Sequence, residues 1–202
     1  MYSRDCDAIA SHACASPSGL FDVIEFTLCT IKMGLSTVKA QRRDIAANGA
    51  ASAFLFVSKR DGWNYCRENI VSLWGEAMAF RERGLYDVEN VTDAVLLFMR
   101  VPGLGMVKAS FVAQMLGFNV ACLDTHNLRR LGLPASAMKI SATLKPASMR
   151  RKVKSYVTLC QQEGAEYWWN TWCDYVAGNR SNKMLDTGDV VSKFHYDAVT
   201  ME

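Results

Sequence analysis

Asp124 and His126, in the run Cys122-Leu123-Asp124-Thr125-His126, and Lys108, in Met106-Val107-Lys108-Ala109, are the side chains best suited to acid–base or electrostatic chemistry. A carboxylate, an imidazole that titrates near neutrality and an amine can hold a proton, steady developing positive charge or contact an anion. Each also has an ordinary use. Asp124 follows the apolar run 120–123 and opens a helical segment, where a capping Asp is worth about 1 kcal/mol. His126 fits a hydrogen-bonded structural histidine near a helix start, and Lys108 a solvated lysine or a phosphate contact. His195, in Ser192-Lys193-Phe194-His195, reads as a surface or structural residue.

Stepping up the chain from Lys108 leads to what would position these groups. Pro102-Gly103-Leu104-Gly105 is a connection too tight for bulky side chains, set between two segments with helical apolar spacing, 92–100 and 106–116. The second repeats Ala109, Val112, Ala113 and Leu116 along one face. Pro102 discourages continuation of the first helix, and the glycines permit positive φ and close backbone approach. The first amides of the second helix then point outward at its positive dipole end, an arrangement that holds a phosphate without reading sequence. Gly103, Leu104 and Gly105 are therefore the expected contacts to a DNA backbone, with Lys108 behind them. An ordinary turn between two helices has the same sequence.

Charge distribution extends the same sign. The net charge is +3, but between Thr125 and Gln162 there are eight basic residues, among them Arg129, Arg130, Arg150, Arg151 and Lys152, and no Asp or Glu. A one-sign run directly after the hairpin favours a polyanion, with salt-sensitive affinity. Half of the 202 residues are hydrophobic and about a fifth charged, as in a globular protein. No apolar run has the length of a membrane span, and the start lacks a basic then apolar leader. Seven scattered cysteines without CxxC or clustered Cys/His spacing disfavour a zinc site and a disulfide framework, and fit reduced thiols in a cytoplasm.

The rest of the chain reads as helices. A loose polar arm is expected over 1–20, helix over 21–30, one or two helices over 38–56 broken near Asn48-Gly49, and a long helix over 63–83 ending at Gly84. Further helices are expected over 148–162, 165–177 and 189–199. Trp168, Trp172 and Tyr175 share one helix face and suit a core. Trp169, on another face, is the one whose exposure would favour stacking on bases.

Pro102-Gly103-Leu104-Gly105, Ala109 and Leu123-Asp124-Thr125-His126 together resemble the helix-hairpin-helix DNA glycosylase superfamily, specifically over residues 101–133. The resemblance implies an all-α, two-lobed helical bundle over 21–202, with the helix-hairpin-helix at 91–117. It implies that double-stranded DNA is held by the hairpin while a base is extruded into a cavity between the lobes. The carboxylate at the position of Asp124 would support charge on the sugar and activate the nucleophile. The Schiff-base lysine of bifunctional members falls two residues after the second hairpin glycine, which is Val107 here. Lys108 is about 100° further around the helix, so strand cleavage through it is in doubt. Some members carry a four-cysteine iron–sulfur cluster after the catalytic segment. Only Cys160 and Cys173 stand there in this chain, so neither cluster nor other cofactor is expected.

A narrower resemblance rests on Pro-Gly-Leu-Gly-x-x-Lys-Ala, on Cys122-Leu-Asp-Thr-His-Asn-Leu-Arg-Arg130, on Trp172-Cys173 and on Val191-Ser192-x-x-His195. These points are similar to small helical proteins of tailed bacteriophages associated with thymine hypermodification as amino acid:DNA transferases. Such a protein would work in a host cytoplasm and displace an activated 5-hydroxymethyl pyrimidine with an amine or amino acid co-substrate. That reaction needs a flipped base and a phosphate clamp, and no lysine at the Schiff-base position. A monofunctional N-glycosylase and a non-catalytic DNA-binding module, with Asp124 as a cap, remain as alternatives. The sequence does not fix the oligomeric state.

Overall fold

The computed structural model describes residues 2–33, 35–134, 136–141 and 143–178, so His195 and the segment 189–199 lie outside it. The elements in chain order are α1 Tyr2–Ala15, α2 Pro17–Thr30, α3 Leu35–Asn48, α4 Ala50–Ala53, α5 Val57–Arg83, α6 Val88–Phe98, α7 Met106–Met115, α8 Thr125–Arg130, α9 Pro146–Glu163 and α10 Ala165–Gly178. There is no strand among the described residues, as expected of an all-α chain. No helix among them is long and apolar enough to cross a membrane.

Local chemistry explains most boundaries. Ser16 caps α2 by accepting from the Gly19 amide at 3.1 Å, with Pro17 in the first turn, where its missing N–H costs nothing. Gly49, at φ +83, breaks α3 from α4. Asp87 caps α6 through the Asn90 amide at 2.8 Å.

The centre of the fold is α2, in which Leu20 and every residue from Val23 to Cys29 are buried. It lies against α1, α3, α5 and α7, while α6 bridges α5, α7 and α9. Ala109, Val112 and Ala113 of α7 and Leu116 at its C-cap are fully buried, as their spacing predicts. Full burial of a Val or Leu side chain contributes roughly 1.5–3 kcal/mol relative to exposure. Buried apolar residues from the helices form one continuous core.

Two expectations are corrected. The arm expected over 1–20 is instead α1 and the start of α2: Cys6, Ile9 and Ala13 are buried, and the two helices approach so closely that a Cβ on Gly19 would fall 2.1 Å from the His12 carbonyl. The long helix begins at Val57 rather than at 63, because Gly62 does not break it; it is buried where a Cβ would meet the Pro102 carbonyl at 2.1 Å. The core use expected of Trp168 is borne out, and Trp169 is buried as well, so neither presents a stacking face. The side chain of Tyr175 lies outside the described residues.

Candidate functional site

The hairpin forms where the sequence places it. After α6, the amides of Arg100 and Val101 bond the carbonyls of Leu97 and Phe98, each at 3.1 Å, and Leu104 N–H closes onto Val101 O at 3.1 Å. Gly103 is left-handed at φ +85, and a Cβ there would lie 2.9 Å from the Ser58 carbonyl, so it lets the hairpin seat on the first turn of α5. Gly105 differs. Its φ is −72, and a Cβ would meet nothing within 4 Å. Positive φ is thus used at Gly103 alone of the pair. Gly105 is exposed, and its carbonyl takes the amides of Lys108 and Ala109, both at 2.9 Å. No side chain caps α7, which leaves its first amides without a helical acceptor. Leu104 corrects the expected contact set: it is buried in the core, so it anchors the hairpin rather than meeting a ligand.

Lys108 turns back toward the end of α2. Its Nζ donates to Thr30 Oγ1 at 3.2 Å and lies 5.8 Å from the Phe111 ring centroid. Beside it is a residue the sequence reading passed over. Lys59, in the first turn of α5, is buried, with its ammonium 5.5 Å and 5.8 Å from the Phe54 and Phe56 ring centroids. No carboxylate among the described residues pairs with it. Burial holds its pKa below the ordinary lysine value; the Cys29 thiol opposes this and the nearby Lys108 ammonium adds to it.

Asp124 is the N-cap of α8. Its Oδ1 accepts from the amides of His126 at 3.0 Å and Asn127 at 3.1 Å, while Oδ2 makes no hydrogen bond among the described residues. The extended segment leading to it is held by buried side chains, because its backbone has no helix to satisfy it. Tyr156 OH donates to Ala121 O at 2.7 Å and accepts from Leu123 N–H at 2.9 Å. Asn127 Nδ2 donates to Cys122 O at 3.0 Å. Gln114, to which the sequence reading gave no role, accepts from Cys122 N–H at 3.3 Å and donates to Ala165 O at 3.1 Å. Burial raises the Cys122 thiol to about 11, with Lys108 pulling it down and Asp124 pushing it up. The two sequence-predicted charges therefore bear on the same thiol. His126 is half-buried in the first turn of α8, and Arg129 and Arg130 are exposed in its last turn.

The basic run is not the uninterrupted cationic face its sequence suggests. Arg150 is ion-paired to Asp93 and, at 2.9 Å, to Glu89, and Lys154 pairs with Glu89 as well. Those acids come from α6, packed alongside α9. Lys152 donates to the Lys139 carbonyl, and exposed Arg151 to Ser148 Oγ at 3.3 Å. Arg150 is thereby engaged about five to nine residues before the end of α6, roughly 8–14 Å from the hairpin along the axis.

No family model, curated protein or solved structure matches the chain.

Proposed function

We propose that this chain is a DNA base-modifying enzyme with a helix-hairpin-helix clamp in a two-lobed, glycosylase-like arrangement. In this reading it transfers an amine or amino acid onto an activated 5-hydroxymethyl pyrimidine in DNA. The observations that carry the reading are the uncapped start of α7 at the hairpin, with Lys108 in its first turn, and an Asp124 whose Oδ2 makes no hydrogen bond among the described residues. The hairpin holds a phosphate flanking the target nucleotide. Asp124 divides its work between two oxygens: Oδ1 fixes α8, and Oδ2 accepts the proton released as the amine attacks the exocyclic methylene. A C–N bond forms, the C–O bond to the activating group breaks, and the departing phosphate-type anion is received by Lys108 and the positive potential around it. In this reading His126, two residues on, contacts substrate or relays a proton.

The double amide cap on Asp124 Oδ1 favours a second reading, in which the hairpin binds DNA and Asp124 is structural. Mass analysis of nucleosides from DNA incubated with the protein, an amine panel and modified pyrimidines separates the two. Added mass on a pyrimidine supports transfer. A free base with an abasic site marks an N-glycosylase instead, and unchanged nucleosides with intact DNA binding leave only the binding module.

A further inference from the structure

Away from the hairpin, α1, α2, α3 and α5 line a cleft of about 1230 Å³ whose floor is a network of charged side chains. Asp22 and Glu25 lie three residues apart on one face of α2, and both meet Arg42 of α3. Arg42 Nη2 donates to Asp22 Oδ1 at 3.1 Å, and its Nε to Glu25 Oε1 at 2.9 Å. His12 of α1 lies 2.9 Å from Asp22 Oδ2, and the Trp63 indole of α5 donates to Glu25 Oε2 at 2.7 Å. Two carboxylates thus share one buried guanidinium, and Asp22 keeps 25% of its side chain open to the cleft. The α3 side of the cleft carries Ala46 and Ala47, followed by Gly49, which are too small to fill it.

The walls and mouth have a different character. Phe21 and Trp63 meet edge to face with ring centroids 5.6 Å apart, and Ile45 and Ile70 continue the apolar wall. Arg67, one turn after Trp63 on α5, lies 5.7 Å from the Trp63 ring centroid, and Arg43 lines the α3 side. Both arginines are exposed, and neither pairs with a carboxylate among the described residues. The cleft therefore sorts charge by position, with a carboxylate-rich floor, an apolar wall and a cationic mouth. A purely anionic ligand would meet Asp22 and Glu25, and a purely cationic one would meet Arg43 and Arg67. A small zwitterion with an apolar body suits all three zones, since each charge then finds an opposite partner. None of the lining residues comes from the hairpin, α7 or α8. Glu25 precedes Thr30, the partner of Lys108, by five residues, about 7.5 Å along α2.

We infer that this cleft is a binding site for a free α-amino acid with a large apolar side chain. The ammonium meets Asp22, the more open of the two floor carboxylates. The carboxylate is taken by the N–H edges of Arg43 and Arg67, and the side chain lies along Phe21, Trp63 and Ile70. The site is separate from Asp124 and Lys108, so its occupancy does not depend on reading the chain as a DNA enzyme.

Calorimetric titration of the full chain with phenylalanine, leucine, N-acetylphenylalanine and phenylalaninamide reads both charged ends of the ligand. Wild type should bind phenylalanine or leucine, and each blocked derivative at least about tenfold more weakly than phenylalanine. Arg67→Gln changes an exposed side chain, so it should stay folded and bind duplex DNA as wild type does, yet lose about tenfold or more in amino-acid affinity. Asp22→Asn should lose the preference for a free ammonium; if it fails to fold, the Arg67→Gln comparison decides. No binding of either amino acid by wild type would overturn the inference. Equal binding of N-acetylphenylalanine would make the cleft a carboxylate site, and equal binding of phenylalaninamide an amine site; either result overturns the zwitterion. Unchanged affinity in folded Arg67→Gln would place the ligand elsewhere and equally overturn it. Duplex binding is read separately, so a failure of the DNA reading leaves this result standing.

Discussion

The hydroxyl of Tyr156 accepts the Leu123 amide at 2.9 Å, one residue before Asp124, and donates to Ala121 O at 2.7 Å. A residue on α9 thereby fixes the backbone that aims the candidate catalytic carboxylate. Tyr156→Phe keeps the ring and removes both bonds, stranding a buried amide and carbonyl. Chemical denaturation should show a loss of about 1–3 kcal/mol. Turnover should fall without a matching loss of DNA affinity. Stability and turnover both unchanged would mean that the segment is held by other means.

Gly105 separates binding from folding. Because φ is −72 and a Cβ meets nothing, Gly105→Asp fits the backbone, and Asp is at least as good a helix cap as Gly. Its melting temperature should be unchanged or slightly raised, while titration with labelled duplex should show strongly weakened binding, from bulk and like charge at the phosphate. Wild-type affinity in the folded variant would remove the clamp. Gly103 is a poor test, since its positive φ and the nearby Ser58 carbonyl make any side chain destabilising.

The ion pairs on α9 divide the basic residues into two classes. Arg129→Glu with Arg130→Glu should weaken binding to all duplex sequences about equally and reduce the salt dependence, because phosphate contacts carry no base information. Arg150→Glu should instead act on stability, by setting a third carboxylate beside Glu89 and Asp93. Equal effects of both changes on binding would show that Arg150 leaves its partners to meet DNA.

Buried thiols set an alkaline limit. Cys66 and Cys160 are raised to about 12 and Cys122 to about 11 by burial, against 9.0 for a free thiol. A folded-state pKa above the unfolded value means that the native state holds its proton longer. The associated stability is complete below pH 9.0 and is lost as pH rises toward 11 and 12. Lys59 has the opposite sign, its lowered pKa favouring folding as pH rises toward 10.5, but it is one group against three. Melting temperature should therefore fall between pH 9 and 11, less steeply in Cys66→Ala after allowance for its lower starting stability. A flat profile would contradict the burial of these thiols.

What the sequence disclosed was local. The hairpin, the cap at Asp124, the break at Gly49 and the stop at Gly84 all follow from turn and capping chemistry within a few residues. What it concealed was set by distant partners. Small polar residues around Cys6, Ile9 and Ala13 hid a helix whose apolar face is completed only by packing on α2. The place of Gly62 inside α5 was hidden as well, because the backbone that needs its missing Cβ, at Pro102, comes from another helix pair. Arg150 looked free because Glu89 and Asp93 lie some 60 residues earlier in the chain. Gln114 and Tyr156 carry no local motif, and the clue to them was the need of the extended run 118–123 for acceptors and donors. Lys59 gave a fainter sign, as a lysine among Phe54, Phe56 and Val57.

Asp124→Asn is the most direct test of the central claim. The amide oxygen still accepts from His126 and Asn127, so the cap and the fold are kept, and only the charge and the proton-accepting oxygen are lost. With nucleoside mass spectrometry as the readout, wild-type protein should add mass to a modified pyrimidine in DNA. Asp124→Asn should do so on the order of a hundredfold more slowly or worse, with DNA affinity retained or improved. Turnover of Asp124→Asn within a few-fold of wild type would contradict the account, and would leave Asp124 as a helix cap only.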